Sequence, residues 1–266
     1  MLSATLIKRE IKANYKLTLI FMAVLSMYAG MIIAMYDPKL GDSLKMMAES
    51  MPQLFAAFGM LNVGSSLLEF VANYLYGFLL IAFPLVYITM LTNRLMTRYI
   101  DKGSMAYLLA TPNKHVKIAL TQAANLLLGL CVLVLYVAAL GIALCEAMFP
   151  AQLDITKFIV INAGLLGLLV LFAGIPFCAA CVFQDAKYAM GFGVGLPVCF
   201  VLIQMIGQVG DKFTFLQYLT PITLFDIDRL VAGEAQGVYQ FLLLYAAGLL
   251  FFGVGIAIFS KKDLSL

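Results

Sequence analysis

The chain has 266 residues, of which 64% are hydrophobic and only 12% are charged. A soluble domain has about twice that share of charged residues, and a disordered chain has low hydrophobicity, so both classes are excluded. Five Cys residues are too few for a secreted disulfide scaffold. The composition therefore predicts a protein built mainly of membrane-spanning segments.

Six segments contain no Asp, Glu, Lys or Arg and are long enough to cross the membrane as helices, which takes about 20 apolar residues. They lack the period-two alternation of membrane-barrel strands. We therefore predict an all-α integral membrane protein with one domain over 1–266 and six transmembrane helices. The predicted spans are 17–36, 70–93, 118–145, 158–184, 188–210 and 235–260.

An amphipathic helix is predicted over 1–16, ahead of the first span. Its basic residues cluster on one arc of a helical wheel, a pattern typical of a helix that lies in the membrane interface. The alternative is an ordinary basic flank of the first span, and the two interpretations are compatible. The basic residues are Lys8, Arg9, Lys12 and Lys16.

The uncharged segment 50–68 is predicted not to cross the membrane. Pro52, Gly59 and several amides and hydroxyls make it too polar and too irregular for a lipid-facing helix. We therefore predict that 37–69 is an external or re-entrant excursion.

Lys and Arg are concentrated on one side of the predicted bundle, and acidic residues on the other. Because cytoplasmic loops are enriched in Lys and Arg, both termini are predicted to be cytoplasmic. The net charge of +3 reflects this topology and does not indicate nucleic-acid binding. The basic side comprises the N-terminus, 94–117, 184–187 and the C-terminal tail, and the acidic side comprises 37–69, 146–157 and 211–234.

The basic loop 100–116 is predicted to contain a short helix. Met105, Leu108 and Leu109 have the i, i+3, i+4 spacing of one apolar face. Thr111-Pro112 then reads as an N-cap followed by proline at the first position of the third span. Such a helix could dock a soluble partner, and the alternative is a simple intracellular turn.

The acidic segment 211–234 is predicted to form short external helices that dip into the outer leaflet. Thr220-Pro221 repeats the capping pattern, which predicts a helix over Ile222–Val231 closed by Gly233.

The chemistry expected of pumps and enzymes is sparse in this sequence. There is no P-loop motif, the single His is His115, and no acidic residue lies inside a predicted span. Ion-coupled carriers usually place acidic groups in the membrane, so an autonomous carrier is disfavoured. No metal or catalytic site is predicted; the one close acidic pair, Asp226 and Asp228, is expected to be solvated.

Polar groups within the predicted spans are mainly amides. Asn73, Asn125 and Gln204 are weak candidates for a substrate path, the alternative being hydrogen bonds between helices. Gly191 and Gly195 form a GxxxG pattern that permits close helix approach.

Three segments together resemble an ABC-2 type transporter permease: DKGSMAYLLATPNKHVKIALTQ (101–122), LQYLTPITLFD before the sixth span, and the tail FSKKDL. The resemblance implies a permease subunit of a bacterial exporter in the plasma membrane, most similar to exporters of antimicrobial or cytolytic peptides such as phenol-soluble modulins. It also implies a separate ABC ATPase that binds ATP and Mg, and a second permease copy or paralogue.

The resemblance assigns contact with the ATPase to one group of residues in the basic loop. Family members often have Glu-x-Gly-Thr where this chain has Asp-Lys-Gly-Ser. Export of a lipid, glycan or drug, an ATP-independent channel or carrier, and an intramembrane enzyme remain alternatives. The coupling residues are Asp101, Gly103, Ser104, Met105, Tyr107, Leu108, Leu109, Thr111 and Pro112.

Overall fold

The computed structural model describes residues 2–36, 46, 49–58, 66–98, 115–209 and 211–261, and all regular structure in these ranges is helical. Six helices are long and apolar enough to cross a membrane, which confirms the predicted all-α membrane fold. In chain order these first to sixth spans are Ala4–Ala34, Leu67–Thr97, His115–Met148, Ile155–Val182, Ala186–Gln208 and Ala235–Ser260.

Several spans begin earlier than the charge-free windows because polar residues cap them. Ser66 and Glu69 form a capping box at the start of the second span, with Ser66 Oγ accepting from the Glu69 amide at 3.2 Å. The carboxylates of Asp154 and Asp185 accept backbone N–H groups at the start of the fourth and fifth spans. Each cap satisfies amide groups that a helix start leaves without intrahelical partners.

The predicted separate helix over 1–16 is not observed, because the first span runs unbroken over Ala4–Ala34. No Gly or Pro interrupts it before Gly30. One buried stripe continues through the whole helix: Glu10, Asn14, Leu17, Phe21, Leu25, Ala29 and Ile33. The four basic residues predicted to share one arc are exposed; they are Lys8, Arg9, Lys12 and Lys16.

The fourth span lies at the centre of the bundle and contacts the second, third, fifth and sixth spans. In its most apolar window 83% of residues are buried, against 17% in the fifth span. Small residues bring the fourth and sixth spans together, since a Cβ at Gly167 would lie 2.9 Å from the Tyr245 ring. The fifth span therefore lies at the edge of the bundle.

Contacts at the helix ends show that the first three spans alternate in direction along the chain. The Ser3 amide donates to Thr121 Oγ1 at 3.1 Å, so the first and third spans begin side by side. At the other end, the Tyr36 ring lies 5.4 Å from Phe70 and 5.1 Å from Phe149. We call the two ends the basic end, with Arg94, Arg98, Lys117, Lys187 and Lys261, and the acidic end, with Glu69, Glu146, Asp154, Asp226 and Glu234.

Between the fifth and sixth spans, the predicted single helix over Ile222–Val231 is wrong. The chain forms two 3₁₀ helices, Asp211–Leu219 and Pro221–Leu224, and then a short α-helix, Ile227–Ala232. Asp226 separates the last two because its carboxylate caps Ile227–Ala232. Gly233 ends that helix with φ +82°, as predicted for a left-handed closing residue.

In the excursion between the first two spans, the described helix Pro52–Ala57 has six residues, too short to cross a membrane.

Candidate functional site

The second span is the most irregular membrane helix. It contains π-helical turns at Ala72–Tyr76 and Asn93–Thr97, with a break at residues 77–78 between them. π-Turns inside α-helices are frequent at functional sites. Each turn contributes to the wall of a different pocket.

The first of these, which we call the polar pocket, has a volume of about 260 Å³ at the acidic end. The second span, the fifth span and the segment before the sixth span enclose it. Its walls carry amides, a hydroxyl and two carboxylates. The lining residues are Asn73, Gly77, Ile81, Gln204, Gln208, Gln217, Ile222, Thr223, Phe225, Asp226, Ile227 and Asp228.

Hydrogen bonds fix one wall of the polar pocket. Gln204 Oε1 accepts from Thr220 Oγ1 at 2.5 Å. Thr223 Oγ1 lies 3.4 Å from the same oxygen and has its shorter bond to the Gln217 carbonyl. Gln217 Nε2 donates to the Gly207 carbonyl at 2.8 Å. These bonds hold the irregular segment 217–223 against the end of the fifth span.

The acidic pair at this pocket was expected to be solvated, and only Asp228 is exposed. Asp226 accepts from the Arg229 amide at 3.2 Å and forms an ion pair of 2.9 Å with Arg229 Nε. The Asp226 carboxylate therefore holds the short helix in place as well as facing the pocket.

The second pocket, which we call the apolar pocket, has a volume of about 290 Å³ and lies nearer the basic end. The first, second and third spans enclose it. Apolar side chains make up most of its surface. The lining residues are Glu10, Ile11, Asn14, Tyr15, Thr18, Leu19, Met22, Tyr87, Leu91, Leu95, Asn125, Leu128, Gly129 and Val132.

A few buried polar groups stand out in the apolar pocket. Asn14 Nδ2 donates to the Glu10 carbonyl at 3.0 Å and to its carboxylate at 3.4 Å. The hydroxyls of Thr18 and Tyr87 share a hydrogen bond of 3.0 Å. Asn125 is only 7% exposed, and neither its amide N nor its amide O has a partner among the described residues.

Sequence reasoning missed Glu10, which is 4% exposed although it belongs to a segment predicted to lie at the interface. The spacing of Glu10 was the available signal. Glu10, Asn14 and Leu17 are four and three residues apart, which is the spacing of one buried helix face. The prediction that no acidic residue lies inside a span does not apply to the observed helices, because Glu10, Glu69 and Glu146 lie within the first three of them. The observed first helix, which includes Glu10, is longer.

The structure brings together two of the three predicted substrate-path residues. Asn73 and Gln204, far apart in the chain, both line the polar pocket, whereas Asn125 lines the apolar pocket. The predicted coupling residues lie outside the described residues; they are Asp101, Gly103, Ser104, Met105, Tyr107, Leu108, Leu109, Thr111 and Pro112.

The two pockets lie close to each other along the second span. Ile81 lines the polar pocket and Tyr87 the apolar pocket, and six helical residues correspond to about 9 Å. Pro84 and Leu85 between them are buried. A layer of packed side chains therefore separates an acidic-end pocket from a basic-end pocket.

No family model matches the chain, and no curated protein matches it either.

Proposed function

We propose that the chain is the transmembrane permease subunit of an ATP-driven exporter in a bacterial cell membrane, with both termini cytoplasmic. Its substrate is an amphipathic molecule, a peptide being our first choice over a lipid, glycan or drug. The chain performs no covalent chemistry of its own. The sequence resemblance and the six apolar helices support this proposal.

The observation that carries the proposal is the interrupted second span beside the polar pocket. Irregular backbone at membrane depth is tolerated where protein shields it or where it lines a cavity. Here the π-turn contributes Asn73 and the break contributes Gly77 to the pocket wall. Discontinuous membrane helices of this kind form substrate sites in transporters.

The two pockets suit a path for an amphipathic molecule. One is mostly apolar and lies nearer the basic, cytoplasmic end, and the other is polar and lies at the opposite end. A change in helix packing that opened the layer around Pro84 would join them. Rigid-body movements between two packings are a common way to alternate access.

The energy for this movement comes from a separate ABC ATPase that binds ATP and Mg. The basic loop 100–116 is its docking segment, with Leu108 and Leu109 on the docking face. Because such a loop belongs at the cytoplasmic end, the proposal agrees with the exposed basic residues there, such as Arg98.

A second permease copy or a paralogue completes the pathway. The fifth span has the lowest buried share of the six spans, and a Cβ at Gly191 or Gly195 would meet nothing within 4 Å. This open stripe of small residues would allow close approach of another helix.

The test is purification of the tagged chain from its native membrane, followed by measurement of co-purified ATP hydrolysis. The double variant Leu108→Asp, Leu109→Asp should abolish that hydrolysis. A matched control, Phe215→Asp with Leu219→Asp, places the same charges on exposed residues at the acidic end and should retain it. Hydrolysis that survives the first variant would refute the coupling assignment.

An ATP-independent carrier is the second candidate, and one observation favours it. Glu10 is a buried carboxylate on a helix that lines the apolar pocket, and buried acidic groups in membrane helices often mark proton or ion pathways. Purified chain in liposomes under a proton gradient separates the two. Uptake of a fluorescent amphipathic peptide without any ATPase, lost in Glu10→Gln, would establish the carrier and overturn the exporter.

A further inference from the structure

The mouth of the apolar pocket faces sideways out of the bundle. Leu19 on the first span and Leu128 on the third line the pocket, and they are 56% and 49% exposed. In a membrane protein such apolar exposed surface faces hydrocarbon. A molecule dissolved in the bilayer could therefore enter the pocket without passing through water.

Asn125 gives the wall of this pocket an unusual feature. Its side chain is buried, and both amide atoms lack a hydrogen-bond partner among the described residues. A buried polar group without a partner is costly, and most such groups in proteins are paired. A ligand in the pocket could therefore supply the hydrogen-bond partner that the Asn125 amide lacks.

The partner that would satisfy this side chain best is another amide. The Asn amide offers a donor and an acceptor side by side, so a primary amide can pair with both at once, and a secondary amide, whose N–H and C=O point to opposite sides, can pair with either of them. An ester supplies only acceptors, and a charged group would be expensive to bring into an apolar pocket.

We propose that the apolar pocket binds an amphiphile that carries an amide next to an apolar chain, with Asn125 pairing to that amide and the side chains around Leu91 holding the chain. This inference deepens the proposed function and rests on it only where the amphiphile is taken to be the exported molecule. Peptides and N-acyl lipids share this chemistry.

The chain lacks Trp, so one introduced indole can report on the pocket. Leu19→Trp places it at the exposed rim. The probes are an ω-bromoalkyl primary amide and the methyl ester of the same chain length, whose bromine quenches a nearby indole. Titrations use purified protein in detergent without ATP.

The amide should bind about tenfold more tightly than the ester, the difference expected for hydrogen bonds that the ester cannot make. Asn125→Leu should remove this preference. Asn162→Leu, which alters a buried amide of the fourth span that lines neither pocket, should preserve it. Equal binding of the two probes, absence of quenching, or a preference that survives Asn125→Leu would overturn the inference.

A second variant keeps the test decisive if Asn125→Leu does not fold. A Cβ at Gly129 would lie 2.6 Å from the Tyr87 hydroxyl, so Gly129→Ala should crowd the pocket and weaken both probes equally. Unchanged binding of both would show that they bind elsewhere.

Two further arms identify the source of the amide and separate the inference from the proposed function. A brominated N-acyl lipid and a blocked apolar peptide with a brominated ring are compared, and the ligand with the greater Asn125-dependent quenching is the occupant. Asn125-dependent quenching without ATP-driven transport would leave the site standing and remove the exporter. ATP-driven transport without Asn125-dependent quenching would support the exporter and overturn the site at Asn125.

Discussion

Gly174 and Gly248 contact each other where the fourth and sixth spans cross. A Cβ at Gly174 would lie 2.8 Å from the Gly248 carbonyl O, and one at Gly248 would lie 2.8 Å from the Leu171 amide N. Because these neighbours are backbone atoms, the helices would have to move apart to accept a methyl group. The pair holds the sixth span against the central helix.

Gly174→Ala should therefore destabilise the bundle by about 1–3 kcal/mol, the usual cost of overpacking. The measurement is the temperature at which the buried thiols of Cys145 and Cys181 react with a fluorogenic maleimide in detergent. Gly253→Ala is the matched control, because a Cβ there would meet nothing within 4 Å. Equal midpoints for the two variants would contradict the close contact.

The proposed orientation predicts which end of the bundle is accessible from outside the cell. Tyr218 at the acidic end and Tyr188 at the basic end are 79% and 68% exposed, so either accepts a Cys replacement. In a background without native Cys, Tyr218→Cys should react with a membrane-impermeant maleimide in intact cells. Tyr188→Cys should react only after permeabilisation, and the opposite result would invert the topology.

The fifth span should mediate contact with a second copy when this chain is the only permease expressed. Cys199 is exposed and lies one helical turn beyond Gly195, on the same stripe. With the other Cys residues replaced, mild oxidation should give a covalent dimer, and Gly195→Leu should reduce its yield by separating the helices.

The control for this dimer is a Cys at Leu135, an exposed position of the third span, in a background with Cys199→Ser. Random collisions in the membrane would oxidise both Cys positions alike. Equal yields would therefore exclude a specific interface at the fifth span.

Gln204 should stabilise the wall of the polar pocket through its side-chain oxygen. Gln204→Leu removes the acceptor used by Thr220 and should cost about 1 kcal/mol of unfolding free energy. Thr220→Val removes the donor of the same bond, so it should cost less in the Gln204→Leu background than alone. Thermal midpoints by the same thiol assay would decide, and equal losses in the two backgrounds would show that the Thr220 hydroxyl does not depend on this oxygen.

The number and order of the spans were predictable because the cost of burying charge in hydrocarbon is large and uniform along the sequence. Their starting points were less predictable. A charge-free window cannot include Glu69, yet Glu69 forms the capping box with Ser66 at the start of the second span. Capping residues are polar and lie at helix ends, so a prediction from charge-free windows assigns them to the loops.

Local competition explains the error between the fifth and sixth spans. Thr220-Pro221 was a sound helix start by pattern, but the Thr220 hydroxyl donates to Gln204 and Asp226 supplies the cap of a later helix. The first interaction depends on Gln204, 16 residues earlier in the chain, which the local pattern does not include. The second is a local cap that competes with the start at Thr220.

The candidate site was predictable only as a set of residue types. Polar amides in apolar spans are rare, so Asn73, Asn125 and Gln204 could be selected from the sequence. Their division between two pockets depends on how the second, third and fifth spans pack. The sequence alone contains no measure of that packing.

The unbroken first helix connects the surroundings of the two pockets mechanically. At 31 residues it is a rod of about 46 Å, with Leu19 on the wall of the apolar pocket and Tyr36, just beyond its end, in contact with the Phe70 ring. Phe70 precedes the π-turn that carries Asn73. A displacement of this helix at Leu19 would therefore reach the contact between Tyr36 and Phe70, next to the turn that carries Asn73.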